Sequence, residues 1–197
     1  MNTATRNQLV KAGYIPLPAW LILSTIAGFF AVDYNPIASH VSVMTLQDNT
    51  AHFIANIAAL SSGAALILFG IGVWRFSQRT FSAGSLCWII FGISMVANGI
   101  WPMGGPMHGL YIIGIFSILA PALCLLDIQD HEIRKQLHGI TVFVSLSAML
   151  YLWLALNGFD PEGYQGLTQR IFGSINYLWP LVFAHKVSQT RTATETN

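Results

Sequence analysis

The sequence predicts an all-α polytopic membrane protein, a bundle of six transmembrane helices with both termini in the cytoplasm. Three observations carry that expectation. Of 197 residues, 54% are hydrophobic and only 9% charged, against about 25% charged in an ordinary soluble domain. Six apolar runs each approach the ~20 residues that a helix rising ~1.5 Å per residue needs to cross a hydrocarbon core about 30 Å thick. Lys and Arg, finally, collect in alternate connections, the pattern produced when basic residues are retained on the cytoplasmic side.

The first run, Ala12 to Val32, follows Arg6 and Lys11 but no A-x-A cleavage signal, and more runs come after it. It therefore reads as an uncleaved span rather than a signal peptide. The second, Ala51 to Trp74, stops at "RFSQR", and the third, Phe81 to Trp101, stops at "PMGGP". The fourth, Met107 to Leu126, gives way to "DIQDHEIRKQ"; the fifth, Leu137 to Leu156, to "GFDPEGY"; the sixth is Leu167 to Ala184. Proline, glycine and charge interrupt an apolar hydrogen-bonded run, so each break is a stop signal. Residues 1–187 are thus expected to form one transmembrane domain, and 188–197, "SQTRTATETN", a disordered cytoplasmic tail with nothing apolar to bury.

Arg6, Lys11, Arg75, Arg79, Arg134, Lys135, Lys186 and Arg191 fall on the predicted inner side, and Arg170 alone on the outer. A net charge of +1 with no basic cluster leaves no electrostatic footprint for nucleic acid. Cys87 and Cys124 sit inside apolar runs, which reads as small apolar filling rather than a disulfide framework or zinc ribbon. No internal repeat or paired mid-span Gly or Pro supports an inverted-repeat transporter, which stays a minor option. His131, His138 and His185, among charged neighbours of the inner side, are assigned no function.

The polar residues concentrate at the outward end. Asp48, His52 and Asn56 are spaced i, i+4, i+8, on a face that continues into Ala59 and Gly63. A polar stripe running into a small-residue stripe is expected to face protein, because small residues let helix backbones approach in lipid. Asn98, His108 with Tyr111, Asn157, and Gln169, Arg170, Ser174 and Asn176 lie at similar depth on other spans. Arg170 opens a helix, where the backbone dipole disfavours a cation, so it requires an anionic partner. An internal salt bridge to Asp33, Asp48, Asp160 or Glu162 is the preferred expectation, with a ligand phosphate or carboxylate as the alternative. His52 and His108 with Asp48 or Asp33 offer ligand types for a metal, but no H-x-x-x-H or H-E-x-x-H element is present. A structural or proton-handling role is preferred, and no metal or other cofactor is expected. The connection "DYNPIASHVSVMTLQDNT" is long for a helical hairpin, and its middle, Ile37 to Leu46, is expected to fold over the bundle mouth as a lid or a cap.

The order of short motifs resembles the bacterial membrane family named domain of unknown function 998: "DYNP" opening an outward loop that reaches Ser42, "GIWP" ending the third span, "MHGLY" opening the fourth, and "GLTQR" before a Trp-containing sixth. The resemblance spans about Ala12 to Lys186 and picks out Asp33, Ser42, Pro102, His108, Arg170 and Trp179. It implies placement in the bacterial inner membrane but no activity. Val43 and Met103 stand where the family often has an acid, and Gln169 where it often has Glu, which weakens a catalytic-acid or metal reading.

Three functional expectations follow. The first is an outward polar pocket binding a small anionic ligand or lipid head group through Asp33, Ser42, Asp48, His52, Asn56, Asn98, His108 and Arg170. The second is an enzyme acting on a lipid or lipid-linked substrate at the outer leaflet, with His52 or His108 as base. The third is a structural or accessory membrane subunit. Membrane lipids are the expected partners throughout.

Overall fold

The computed structural model describes residues 8–195; Arg6 and the side chains of Tyr111 and Arg191 lie outside the described residues. Among the described residues every regular element is helical. Helix α1 runs Gln8–Phe30, α2 Thr50–Ser77, α3 Ala83–Ile100, α4 Ala120–Asp127, α5 His131–Leu156 and α6 Gln165–Glu195. Two 3-10 helices, Val41–Leu46 and His108–Ile118, complete the set.

Helices α1, α2, α3 and α5 are each long and apolar enough to cross a membrane. Their outward faces carry large apolar side chains, with Phe29 83%, Leu156 75% and Leu146 61% exposed. Such a girdle is unfavourable against water and natural against hydrocarbon. The chain is a multi-pass membrane protein. The remaining two apolar runs take less regular forms. Glycines and Pro121 divide the fourth into the 3-10 stretch His108–Ile118 and α4. At ~2.0 Å per residue for the first part and ~1.5 Å for the second, the pair still extends on the order of 34 Å. Helix α6 has Gln169, Arg170, Ser174 and Asn176 in its first half, Pro180 in its interior, and a helical backbone continuing to Glu195, through much of the segment expected to be a disordered tail.

Antiparallel packing of α2 on α3 forms the centre. On α2, Asn56, Gly63 and Gly70 recur every seven residues; on α3, Ser85, Gly92 and Gly99 do the same. These rows meet. A Cβ on Gly63 would stand 2.7 Å from the Gly92 carbonyl oxygen, one on Gly70 2.9 Å from the Ser85 oxygen, and one on Gly99 2.9 Å from the Asn56 oxygen. A seven-residue repeat on both partners keeps the contact in register along shallowly crossed helices. In lipid, where apolar area alone does not favour association, this backbone approach is the source of affinity.

Helix α6 seats aromatic side chains against that hairpin. Trp179 stacks on Trp88 at 5.7 Å and on Phe183 at 5.3 Å, while Phe69 meets Trp88, Trp179 and Phe183 edge-on between 5.7 and 6.2 Å. The Trp179 indole N–H donates to Thr141 Oγ1 at 2.9 Å, which ties α5 to the same core. Helix α1 is irregular where Pro16 and Pro18 remove donors, and a π turn spans Ala19–Leu23. Its Gly13 lets the Pro180 carbonyl approach, since a Cβ there would stand 2.6 Å from that oxygen.

Two ends result. Val10 beside Gly72, and Arg79 beside Asp127, mark the end that holds the start of α1 and the α2–α3 turn. The opposite end holds the 31–49 connection and the start of α6; it is called the loop end below.

Replacing Gly63 by Val is expected to cost about 1–3 kcal/mol, because overpacking forces two backbones apart; the thermal unfolding midpoint in detergent measures it. Gln78 ends α2 in the left-handed region at φ 55°. Gln78→Gly should raise the same midpoint, by about 1 kcal/mol of stability.

Candidate functional site

The loop end is built on the first turns of α6. Asn35 folds the connection back, its Oδ1 accepting from the Ile37 and Ala38 amides. That turn presents carbonyls to α6. The Leu167 N–H donates to the Ile37 oxygen at 2.9 Å, satisfying one of the amides a helix start leaves open. Gly166 is glycine because the loop passes against it, with the Pro36 oxygen 2.6 Å from where a Cβ would stand. Gln169 Oε1 accepts from the Val41 N–H at 2.8 Å.

Arg170 completes the clamp. One terminal nitrogen donates to the carbonyls of Pro36 at 2.7 Å, Gly166 at 3.0 Å and Ser39 at 3.4 Å; the other donates to the Tyr34 hydroxyl. The guanidinium carbon also stands 5.6 Å from the Tyr34 ring centroid, within cation–π range. The salt bridge expected from the sequence is not what forms. Among the described residues Arg170 pairs with no carboxylate, and the single ion pair is His131 with Glu132. The physical reason is local. Backbone carbonyls brought in by the Asn35 turn supply the negative potential that a cation at a helix start lacks, in bonds worth about 1.5–3 kcal/mol each.

Beyond the clamp, Val41–Leu46 forms the 3-10 helix whose Val41, Met44 and Thr45 are buried, Met44 completely. The segment is a closed cap. Thr45 is its hub: its hydroxyl accepts from the Met103 N–H at 3.0 Å, and its carbonyl accepts from His52 Nδ1 at 2.7 Å. Ser42 Oγ donates toward Met103 Sδ at 3.7 Å. Gln47 pairs with the Val32 backbone through both its amide atoms, at 3.0 and 2.9 Å.

His52 and Asn56 do share a helix face and are bonded, with the Asn56 amide nitrogen 2.9 Å from His52 Nε2. Since the Thr45 carbonyl only accepts, Nδ1 carries the ring proton and Nε2 accepts from Asn56. Both ring nitrogens are engaged. Asp48 does not belong to that face. Asn49 caps α2 in an extended conformation, accepting from the Ala51 amide at 2.9 Å, so Asp48 lies before the helix and is exposed. Asp33 is also exposed, in the left-handed region at φ 51°. His108 Nδ1 lies 3.0 Å from the Trp101 carbonyl, joining the end of α3 to the start of the 3-10 stretch. Asp160 accepts from Thr168 Oγ1 at 2.7 Å and so braces α6 rather than Arg170. Among the described residues no three His, Cys, Asp or Glu side chains gather closely enough to hold a metal.

Two groups stand out beneath this network. Asn56 Oδ1 and Asn98 Oδ1, like Asn176 Oδ1 on α6, are buried without a hydrogen-bond partner among the described residues. Asn56 and Asn98 lie at the same level of the α2–α3 contact, where Gly99 meets the Asn56 carbonyl. Sequence reasoning marked these asparagines but missed Tyr34, Thr45, Gln47 and Gly166, which organise the cap. The motifs "DYNP" and "GLTQR" contained two of them, and their shared signal was a glycine at a helix start opposite a turn-forming Asn-Pro.

A family model described as Protein of unknown function (DUF998) matches residues 15–186. The chain belongs to this family. No curated protein and no solved structure matches it. In this DUF998 chain the motifs prove to be bonded to one another: Tyr34 and Pro36 with the distant Arg170, and Trp101 with the nearby His108. A glutamate at position 169 would keep the role seen here, because either side chain accepts from the Val41 amide.

Gln169→Glu should therefore leave stability within about 0.5 kcal/mol, whereas Gln169→Leu should lower it by about 1 kcal/mol. His52→Ala, which strands the Thr45 carbonyl and the Asn56 amide, should lower it by about 1–3 kcal/mol. Denaturant or thermal midpoints in one detergent check all three, and a stable His52→Ala protein would contradict the hub assigned to Thr45.

Proposed function

We propose that this protein is a six-pass bacterial inner-membrane protein, both termini cytoplasmic, whose capped loop end receives a small molecule or lipid head group rich in hydrogen-bond donors. The observation that carries the reading is the pair of buried, unpartnered acceptors, Asn56 Oδ1 and Asn98 Oδ1. Leaving such an oxygen unpaired costs about 1–3 kcal/mol, which a donor-bearing ligand recovers on binding. Topology agrees with the distribution of Lys and Arg: Arg170 is the one basic residue of the loop end, against Asp33, Asp48, Asp160 and Glu162. With its guanidinium spent on loop carbonyls, Arg170 is a fastener rather than an anion contact. An acidic rim above open acceptors favours an ammonium or polyhydroxyl group over an anion. Both acceptors are buried, so entry requires the loop end to open.

A second reading has its own support: His52 and Arg170 are fully engaged inside the protein, which is what a purely structural cap requires. The two readings separate in one experiment. The thermal midpoint of purified protein is measured with an ethanolamine-headgroup phospholipid, whose ammonium donates hydrogen bonds, and with its choline counterpart of identical chains, whose ammonium cannot. Binding predicts a larger upward shift with ethanolamine, lost in Asn98→Ala, while that variant without lipid is at least as stable as the parent. Equal shifts with both lipids in both proteins would overturn the ligand reading and leave the structural one.

A further inference from the structure

At the end opposite the cap, the turn between α2 and α3 forms one side of a groove of about 770 Å³. Its polar part is supplied by Arg75, Gln78, Arg79 and Thr80, and its apolar part by Ile71, Trp74 and Ile89. Among the described residues no carboxylate lines it. Gln78 in the left-handed region reverses the chain, and this brings Arg79 and Thr80 to the groove that Arg75 already borders. Trp74 is held edge-on to Phe81 at 6.1 Å.

The charges are unusually free. Arg75 is exposed and makes no hydrogen bond or ion pair among the described residues. Arg79 gives only its Nε to protein, toward the Asp127 carbonyl at 3.5 Å, and keeps both terminal nitrogens for another partner. Asp127 turns its carboxylate to the start of α3, where Oδ2 accepts from the Ser82 hydroxyl at 2.8 Å and the Gly84 N–H at 3.0 Å. Two guanidiniums without carboxylates match a phosphate, which they bind with paired N–H donors. The apolar wall continues along Ile71 and Ile89 in the direction of the hydrocarbon, which is where the chain of a lipid lies. Tryptophan beside arginine places the site at the membrane–water boundary.

We propose that this groove is a binding site for one anionic phospholipid of the leaflet at that end, with Arg75 and Arg79 on its phosphate and Trp74, Ile71 and Ile89 along an acyl chain. A zwitterionic lipid fits less well, because its ammonium would meet the two guanidiniums. The site is independent of the loop-end reading and stands whether or not the cap admits a ligand.

Native mass spectrometry of the full chain, released from detergent after delipidation and titrated with phosphatidylglycerol or with phosphatidylcholine of the same chains, tests it. The parent is expected to retain one phosphatidylglycerol in preference to phosphatidylcholine. Arg75→Gln with Arg79→Gln should lower that retention at least roughly tenfold, two surface charges being removed, with an unchanged thermal midpoint in the absence of lipid. Arg134→Gln with Lys135→Gln, which removes two exposed charges outside the groove at the same end, should retain the lipid as the parent does. Equal loss in the two double variants, equal retention of the two lipids by the parent, or full retention by the groove variant would each overturn the proposal.

Discussion

The loop end depends on how one cation is neutralised. Arg170 lies in the first turns of α6, where the helix dipole opposes a cation and its charge carries a cost. The chain meets that cost with backbone rather than with a carboxylate: Pro36, Ser39 and Gly166 turn their carbonyls to it and Tyr34 adds its hydroxyl and ring. Carbonyl oxygens bring no net charge and need no counter-ion. They do require the 34–41 backbone to hold one conformation, and that requirement fixes where the cap begins. From Val41 onward, burial of Met44 and the bonds of Thr45 to His52 and Met103 carry the same constraint to α2 and to the end of α3.

This arrangement stands on a scaffold stabilised by different means. The α2–α3 glycine rows and the aromatic cluster around Trp179 need no polar contact at depth apart from Trp179 to Thr141. They are close-packed, and packed interfaces shift between discrete arrangements rather than deform. The cap is different in kind. It is a short 3-10 segment tied to its neighbours by a few part-buried hydrogen bonds at the end of the bundle, so it is the element expected to open at least cost.

Much of this was legible in the sequence. Apolar length announced α1, α2, α3 and α5, and proline, glycine and charge placed their ends within a few residues, except that α5 begins at His131, six residues before the apolar run at Leu137. Where the helix is irregular, apolar count says less: the fourth run alternates 3-10 and α geometry, and the sixth carries too much polarity in its first half to qualify by length and composition. The i, i+4, i+8 rule found His52 and Asn56 but over-reached to Asp48, because a cap residue, Asn49, intervenes and periodicity does not see caps. The partner of Arg170 was misread for a deeper reason. A sequence shows which side chains bear charge and is silent about which carbonyls a turn will aim, so an internal salt bridge looked like the natural solution. The glycine of "GLTQR" and the Asn-Pro of "DYNP" were the trace that a backbone approach leaves.

Arg170 fastens the cap through its fork of donors and not through its charge alone. Hydrogen–deuterium exchange of the full chain in detergent, comparing the parent with Arg170→Lys, tests this most directly. A lysine keeps the charge but cannot reach three carbonyls and a phenol at once. The amides of residues 37–47 should then exchange at least roughly tenfold faster, a loss of about 1.4 kcal/mol of local protection, while those of the α2–α3 contact keep their rates. Unchanged protection across 37–47 in the lysine variant would contradict it.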